Sequence, residues 1–226
     1  MKLNKKKLFL AATAISLIAI LSLGTLAWFS DSDDVNNDFH IAVSTEDEDD
    51  IFSVDVRELV DNNGDGVGET VVDVDDVAEG KTYNNVKPGD TFVKQPYVVN
   101  TGAYDQWVRV KVTVDNVAAW TNMLSDCNIS DLTDIFDGYN ENLWTRYDVP
   151  VAGNDTLTYT FYMDNKLAPN GECILFTHVN MPEGMTRAHA AAFDDGTFSI
   201  NVVAEAIQAD HTGDNAYDAF DDCWPQ

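Results

Sequence analysis

The chain of 226 residues is 45% hydrophobic and 11% aromatic, which suffices for one core of ordinary size and excludes a wholly disordered polymer. Its formal net charge is −26, and from Asp31 onward nine basic residues face 39 acidic ones. A surface this negative repels phosphate backbones and anionic headgroups, so nucleic-acid binding and peripheral membrane adhesion are poor candidate functions. Divalent cations and cationic wall components are better candidate partners.

The N-terminal segment has the pattern of an export signal. A lysine-rich stretch, MKLNKKK, precedes an uncharged and mostly apolar run of 22 residues, 8–29. That length would also cross a bilayer, so an uncleaved anchor is the alternative. Thr25 and Ala27 place small residues at the −3 and −1 positions of a cut after Ala27, which favours cleavage. The lysines precede the apolar run, so the acidic remainder is exported in either case.

Residues 29–45 are predicted to form a lead-in before the folded domain. Residues 31–38 are polar and are interpreted as mobile. In DFHIAVS, Asp38 to Ser44, the side chains of Phe39, Ile41 and Val43 lie on one side, with the period of a half-buried strand.

The next two runs, IFSVDVRELV and ETVVDVDDV, flank the sequence DNNGDGVG and predict a hairpin with a glycine-rich tip. Asp61, Asn63, Asp65 and Glu69 match positions 1, 3, 5 and 9 of a calcium loop. Position 12, where a bidentate carboxylate is needed, is Val72. Asn-Gly and Asp-Gly are also ordinary turn sequences, so a turn without metal is favoured over a weak calcium site.

The remainder predicts further short strands and two short helices. The strand segments are TFVKQPYVVN, QWVRVKVTV, NLWTRY, TLTYTFYM, ECILFTHV and TFSINVVAEAIQ, and the helical ones are NVAAWTNML and PEGMTRAHAAAF. About nine strands with regularly spaced turn signals predict an all-β protein, an antiparallel jelly-roll-like β-sandwich with short helical insertions. We assign residues 1–28 to the signal peptide, 29–45 to the lead-in and 46–226 to the jelly-roll domain.

No arrangement of residues argues for an enzyme. The four histidines, His40, His178, His189 and His211, are scattered, and no HExxH, GxSxG or nucleotide-binding motif occurs. The three cysteines, Cys127, Cys173 and Cys223, allow either one disulfide with one free thiol or three free thiols. No cofactor is predicted beyond the possible calcium ion.

Several short motifs, in their order along the chain, resemble the TasA/camelysin family of secreted proteins of Gram-positive bacteria. These motifs are GT-x-A-x-F at the end of the apolar run, VKPGD, a VxNTG...VRVKV strand pair and FSINVVAEAIQAD. The chain is most similar to the BsaA-type biofilm matrix proteins, which are processed by the signal peptidase SipW. The resemblance places the cleavage site at Ala27, Trp28 and Phe29, with the cut after Ala27 or one residue later.

The resemblance implies a jelly-roll subunit that polymerises head to tail into extracellular fibres of the biofilm matrix, alone or with accessory matrix proteins. In such fibres the N-terminal segment of one subunit acts as a donor strand that fills a groove in its neighbour. Here Phe29 to Ser44 would be the donor, with Phe39, Ile41 and Val43 as its anchors. The alternative is that Asp38 to Ser44 forms the first strand of its own domain.

Two other functions stay open at this stage. A camelysin-like metalloprotease at the cell surface would need a metal site built from the dispersed histidines and carboxylates. A calcium-modulated adhesin would rest on the DNNGDG sequence and on the strong negative charge.

Overall fold

The computed structural model describes residues 30–35, 53–61, 64–68, 70–71, 86–147, 150–193, 197–210 and 212–223. Antiparallel strands dominate this part of the chain, which confirms the predicted all-β class. The strands are β1 (Ser30–Val35), β2 (Val54–Val60), β3 (Thr70–Val71), β4 (Thr91–Val93), β5 (Gln95–Asn100), β6 (Gln106–Asp115), β7 (Phe136–Asp137), β8 (Trp144–Arg146), β9 (Val151–Ala152), β10 (Thr156–Met163), β11 (Glu172–Ile174), β12 (His178–Asn180) and β13 (Ile200–Gln208). The helices are α1 (Val117–Asp126), α2 (Arg187–Ala190) and α3 (Ala216–Cys223), with a 3₁₀ turn at Leu132–Ile135.

The first sheet has the strand order β1-β13-β6-β10-β8, and β9 pairs with the free part of β10. Its long central strands, β6, β10 and β13, are rich in valine and aromatic residues, which suit a pleated, half-buried surface. In β13 the burial alternates along the strand from Ile200 to Ala206. The strand predicted for this segment is therefore observed, with the period of two of a half-buried strand.

The second layer joins two smaller sheets, β11-β5-β2-β3 and β4-β12-β7. Only Lys94 separates β4 from β5, and the same antiparallel register continues across the gap on the partner strand. The Lys94 amide donates to the Thr177 carbonyl at 3.2 Å, and the Leu175 amide donates to the Pro96 carbonyl at 3.0 Å. These two bonds make the smaller sheets continuous.

The main core lies between the two layers. The first sheet contributes Val108, Val110 and Val112, and the second contributes Val54 and Val56, all with at most 1% exposure. Helix α1 closes one end of this core, as its apolar spacing predicts. Its Trp120 meets two phenylalanine rings edge to face, with centroids 5.2 and 4.8 Å away at Phe193 and Phe198.

A smaller apolar cluster lies outside the first sheet, beneath α3. It brings together Trp107, Tyr162 and Ile207 from the strands with Ala219 and Phe220 from the helix. The sequence patterns do not predict this helix. Three of its eight residues are aspartates and its apolar side chains are few, but Ala216, Ala219 and Phe220 have the spacing of one helical face.

Several predicted elements differ in extent from the observed ones. The segment PEGMTRAHAAAF is helical only over Arg187–Ala190, and ECILFTHV splits into β11 and β12. The hairpin around DNNGDG is confirmed where it is described, since Leu59 pairs with Val71. The polar stretch interpreted as mobile contains β1, because a strand edge can be paired through backbone groups whatever the side chains are.

Candidate assembly edge

The feature of the fold with the clearest potential for assembly is the outer edge of β13. This strand pairs with β6 through its inner edge over nine residues, from Ile200 opposite Val114 to Gln208 opposite Gln106. Its other edge would present a row of unpaired backbone amides and carbonyls if nothing covered it. A long strand with buried valine and alanine side chains is a ready acceptor for an added strand.

Strand β1 covers this edge. It runs antiparallel to β13, with Ser30 opposite Ile207 and Val35 opposite Val202. Its sequence, SDSDDV, contains three aspartates and one apolar residue, a composition that strands disfavour. Backbone pairing is therefore the main force that can hold β1 on the sheet. It lies next to β2 in space, although residues 36–53 separate the two strands along the chain.

An ion network stiffens β13 and β6 behind this edge. The Glu205 carboxylate accepts a hydrogen bond from the Arg109 side chain and a second from Lys111 Nζ at 2.8 Å. The Arg109 guanidinium also lies 4.3 Å above the ring of Phe220, so it links the sheet to α3. Because Arg109 is almost fully buried, these contacts fix the two strands in one register.

The predicted processing and donor residues lie outside the described residues. These are Ala27, Trp28 and Phe29 at the cleavage site, and Phe39, Ile41 and Val43 as donor anchors. The described strand, β1, begins one residue after Phe29 and ends before Asp38. The strand at the sheet edge is thus N-terminal to the predicted anchors, within the predicted lead-in of residues 29–45.

The DNNGDG loop is held by its own aspartates. Asp61 accepts hydrogen bonds from the Gly64 amide at 2.5 Å and from the Gly66 amide at 2.8 Å, while Asp65 accepts from the Val67 amide at 2.9 Å. Both glycines have φ of +84°, in the left-handed region. These hydrogen bonds and glycine conformations are those of a turn.

Two of the four proposed calcium ligands, Asn63 and Glu69, lie outside the described residues. Among the residues that are described, no group of three or more histidine, cysteine or acidic side chains is placed to hold a metal ion. The calcium site stays a prediction.

The two described histidines have local structural partners. His189 Nδ1 accepts from the Thr186 amide at 3.1 Å as part of the α2 cap, and its Nε2 lies 3.0 Å from Asp126. His178 contacts the Thr177 hydroxyl at 2.8 Å. His40 and His211 lie outside the described residues.

The three cysteines are all free thiols, which resolves the alternatives left open by the sequence. Cys173 is buried in the main core, and burial raises its pKa. Cys127 and Cys223 are half-buried.

An acidic cleft of about 580 Å³ lies beside β7 and β8. Its one arginine, Arg146, lies 3.0 Å from the Asp131 carboxylate. Partial burial raises the pKa of Asp131, but hydrogen bonds from Thr133 and the charge of Arg146 outweigh it and hold that pKa below its usual value. Burial also raises the pKa of Tyr139, a lining residue, to about 12.

No helix within the described ranges is long and apolar enough to cross a membrane. Comparison of the chain with protein families, with curated proteins and with solved structures finds no match.

Proposed function

We propose that the protein is a secreted structural subunit that assembles into extracellular matrix fibres by exchange of its N-terminal strand. The observation that supports the proposal most strongly is the position of β1 at the edge of the first sheet. A short polar strand completes the edge of a long, well-packed strand, and residues 36–53 connect it to the rest of the fold. Such a strand can pair with its own β13 or with that of a neighbour.

The strand order supports a jelly-roll architecture for this subunit. In a jelly roll the chain passes between two antiparallel sheets, and the first strand of one sheet lies beside the last strand of the chain. Here β1 lies beside β13, β13 beside β6, and β6 beside β10, while β5 and β12 of the other layer pair with β11 and β7 respectively. On this assignment β1 is an integral strand of the fold, so its loss leaves the outer edge of β13 unpaired.

Exchange between subunits costs little in contact energy, because the same residues pair in the same register whether β1 comes from the same chain or another. When each subunit donates to the next, the contact runs head to tail and propagates as a filament. The polar composition of β1 favours exchange, since few apolar contacts must be broken before the strand can leave.

Charge sets the conditions under which such a fibre grows. After removal of residues 1–28 the chain carries nine basic and 39 acidic residues, so adjacent subunits repel one another. Salt, calcium or mild acid reduces this repulsion and should promote growth. The implied partners are other copies of the chain, the SipW-type signal peptidase and accessory matrix proteins.

The proposal is tested by deleting residues 29–44 from the mature protein and following both assembly and melting. The truncated protein should stay folded, should not form fibres, and should bind a synthetic peptide of residues 29–44. The same peptide with proline in place of Ser32 and Asp34 is the control, because proline cannot donate to a strand ladder. Fibres formed by the truncated protein would refute strand exchange, and so would a truncated protein that no longer folds.

A further inference from the structure

Three tyrosines meet at the surface where α3 crosses the end of β8. Tyr147 and Tyr217 are stacked, with ring centroids 5.7 Å apart and planes inclined by 21°. Tyr162 supports both from below, at 6.4 and 5.4 Å and nearly perpendicular to them. We refer to these three residues as the tyrosine cluster.

The two stacked rings are accessible, whereas the supporting ring is not. Tyr147 is 37% exposed and Tyr217 is 44% exposed, while Tyr162 is 6% exposed. Hydrogen bonds also fix the backbone at or near both stacked residues. The Tyr147 amide donates to the Thr160 carbonyl at 2.8 Å, and α3 begins at a cap in which Asn215 accepts from the Asp218 amide at 3.0 Å.

The two phenol groups lie side by side. A hydrogen bond between the side chains of Tyr147 and Tyr217 raises the pKa of Tyr217. Stacked rings whose centroids lie 5.7 Å apart hold the two phenols, and with them their ortho carbons, beside one another. Those ortho carbons are where the unpaired electron of a tyrosyl radical is concentrated.

We propose that Tyr147 and Tyr217 form an oxidative modification site, where a peroxidase acting with hydrogen peroxide joins them in an intramolecular dityrosine. Each phenol gives up one electron and one proton, and two radicals then form a carbon–carbon bond between ortho positions. The ortho hydrogens move to the oxygens, which restores both phenols. Hydrogen peroxide accepts the two electrons and two protons and leaves as two molecules of water.

The stacked arrangement makes Tyr147 and Tyr217 the tyrosine pair most favoured for coupling. Rings that are already stacked react at an effective concentration that separate molecules cannot reach. Tyr104 is equally exposed, at 45%, but it belongs to the turn between β5 and β6, and no described aromatic ring lies against it. Among the described residues, a radical on Tyr104 therefore has no stacked tyrosine with which to couple inside its own subunit.

The consequence would be a covalent staple between α3 and the first sheet. The three cysteines form no disulfide, so among the described residues no other cross-link ties the C-terminal helix to the strands. The staple acts within one subunit and does not depend on strand exchange.

The test is oxidation of the dilute, purified protein by horseradish peroxidase and hydrogen peroxide. The wild type should gain dityrosine fluorescence while it still runs as a monomer, and it should melt at a higher temperature. Trypsin cuts after Arg146, Lys166 and Arg187, so mass spectrometry should find residues 147–166 joined to residues 188–226. The joined pair should be two hydrogen atoms lighter than its separate peptides.

Tyr147→Phe and Tyr217→Phe keep the stacked rings but should lose the joined peptides and the rise in melting temperature. Tyr104→Phe and Tyr162→Phe are the matched controls and should keep both. Melting of each unoxidised variant shows that it is folded. The proposal is overturned if Tyr147→Phe still yields the joined peptides, or if the wild type gives dityrosine only in dimers and larger species.

Discussion

The buried ion pair between Glu58 and Lys94 gives a quantitative test of the second layer. Lys94 Nζ lies 3.0 Å from Glu58 Oε2, and the two side chains are 3% and 2% exposed. Replacing Glu58 by leucine removes the carboxylate and leaves the ammonium group of Lys94 in the interior. Removing one partner of a buried pair destabilises proteins by about 3–5 kcal/mol. The double variant Glu58→Leu/Lys94→Met buries no charge at this place and should recover most of that loss.

The pH dependence of the single variant follows from the pKa of Lys94. Burial lowers this pKa below its ordinary value of 10.5, and the charge and hydrogen bond of Glu58 oppose the shift. Without Glu58 the pKa falls further in the folded state, while the unfolded chain keeps its ordinary value. Between the two values the unfolded state binds more protons, so the free energy of unfolding increases as the pH rises. The destabilisation of Glu58→Leu should therefore shrink between pH 7 and pH 9.5.

Urea unfolding at both pH values measures these effects. Glu172→Leu on β11 is the matched control, because its side chain is exposed and its loss should cost less than about 0.5 kcal/mol. The reasoning is refuted if Glu58→Leu loses less than about 1 kcal/mol, or if the double variant is as unstable as the single one.

Three further outcomes are expected. Phe220→Ala empties the centre of the cluster beneath α3 and should lower the free energy of unfolding by about 3–5 kcal/mol in urea titrations. A loss below about 1 kcal/mol would show that α3 is not packed on the sheet. Asp61→Ala removes the acceptor of two loop amides and should cost about 1–2 kcal/mol by thermal melting, equally in EDTA and in millimolar calcium. A loss seen only with calcium would reveal a metal site. Fibre growth measured by light scattering should be faster at physiological than at low ionic strength, and the opposite order would contradict the role assigned to charge.

The all-β class could be predicted from the sequence because the central strands have strong local patterns. Alternating valines in β6 and alternating apolar residues in β13 specify half-buried strands before any partner is known. The spacing of Val117, Trp120 and Leu124 in α1 does the same for a helix. These signals depend on nearest neighbours along the chain, which a single sequence displays.

The edge strand and the last helix could not be predicted in the same way. β1 has no apolar alternation, because its pairing is made by backbone groups and depends on the exposed edge of a strand far away in sequence. α3 has only one large buried side chain, Phe220, whose partners come from β6, β10 and β13. The tyrosine cluster is also non-local, since Tyr147, Tyr162 and Tyr217 come from three separate elements.

The measurement that most directly tests strand exchange is a cross-link between β1 and β13. Asp34 and Val203 are directly opposite one another, and opposite residues of antiparallel strands have Cα atoms within the range of a disulfide. The variant Asp34→Cys/Val203→Cys is made in a chain whose native cysteines are replaced, Cys127 and Cys223 by serine and Cys173 by alanine, and its fibres are assembled under reduction and then oxidised.

If subunits donate β1 to one another, the oxidised fibres should give a ladder of covalent oligomers on a non-reducing gel, and the ladder should collapse to monomer on reduction. Oxidation before assembly should lock β1 into its own subunit and prevent fibre growth. Fibres that yield only cross-linked monomer would contradict strand exchange as the basis of assembly.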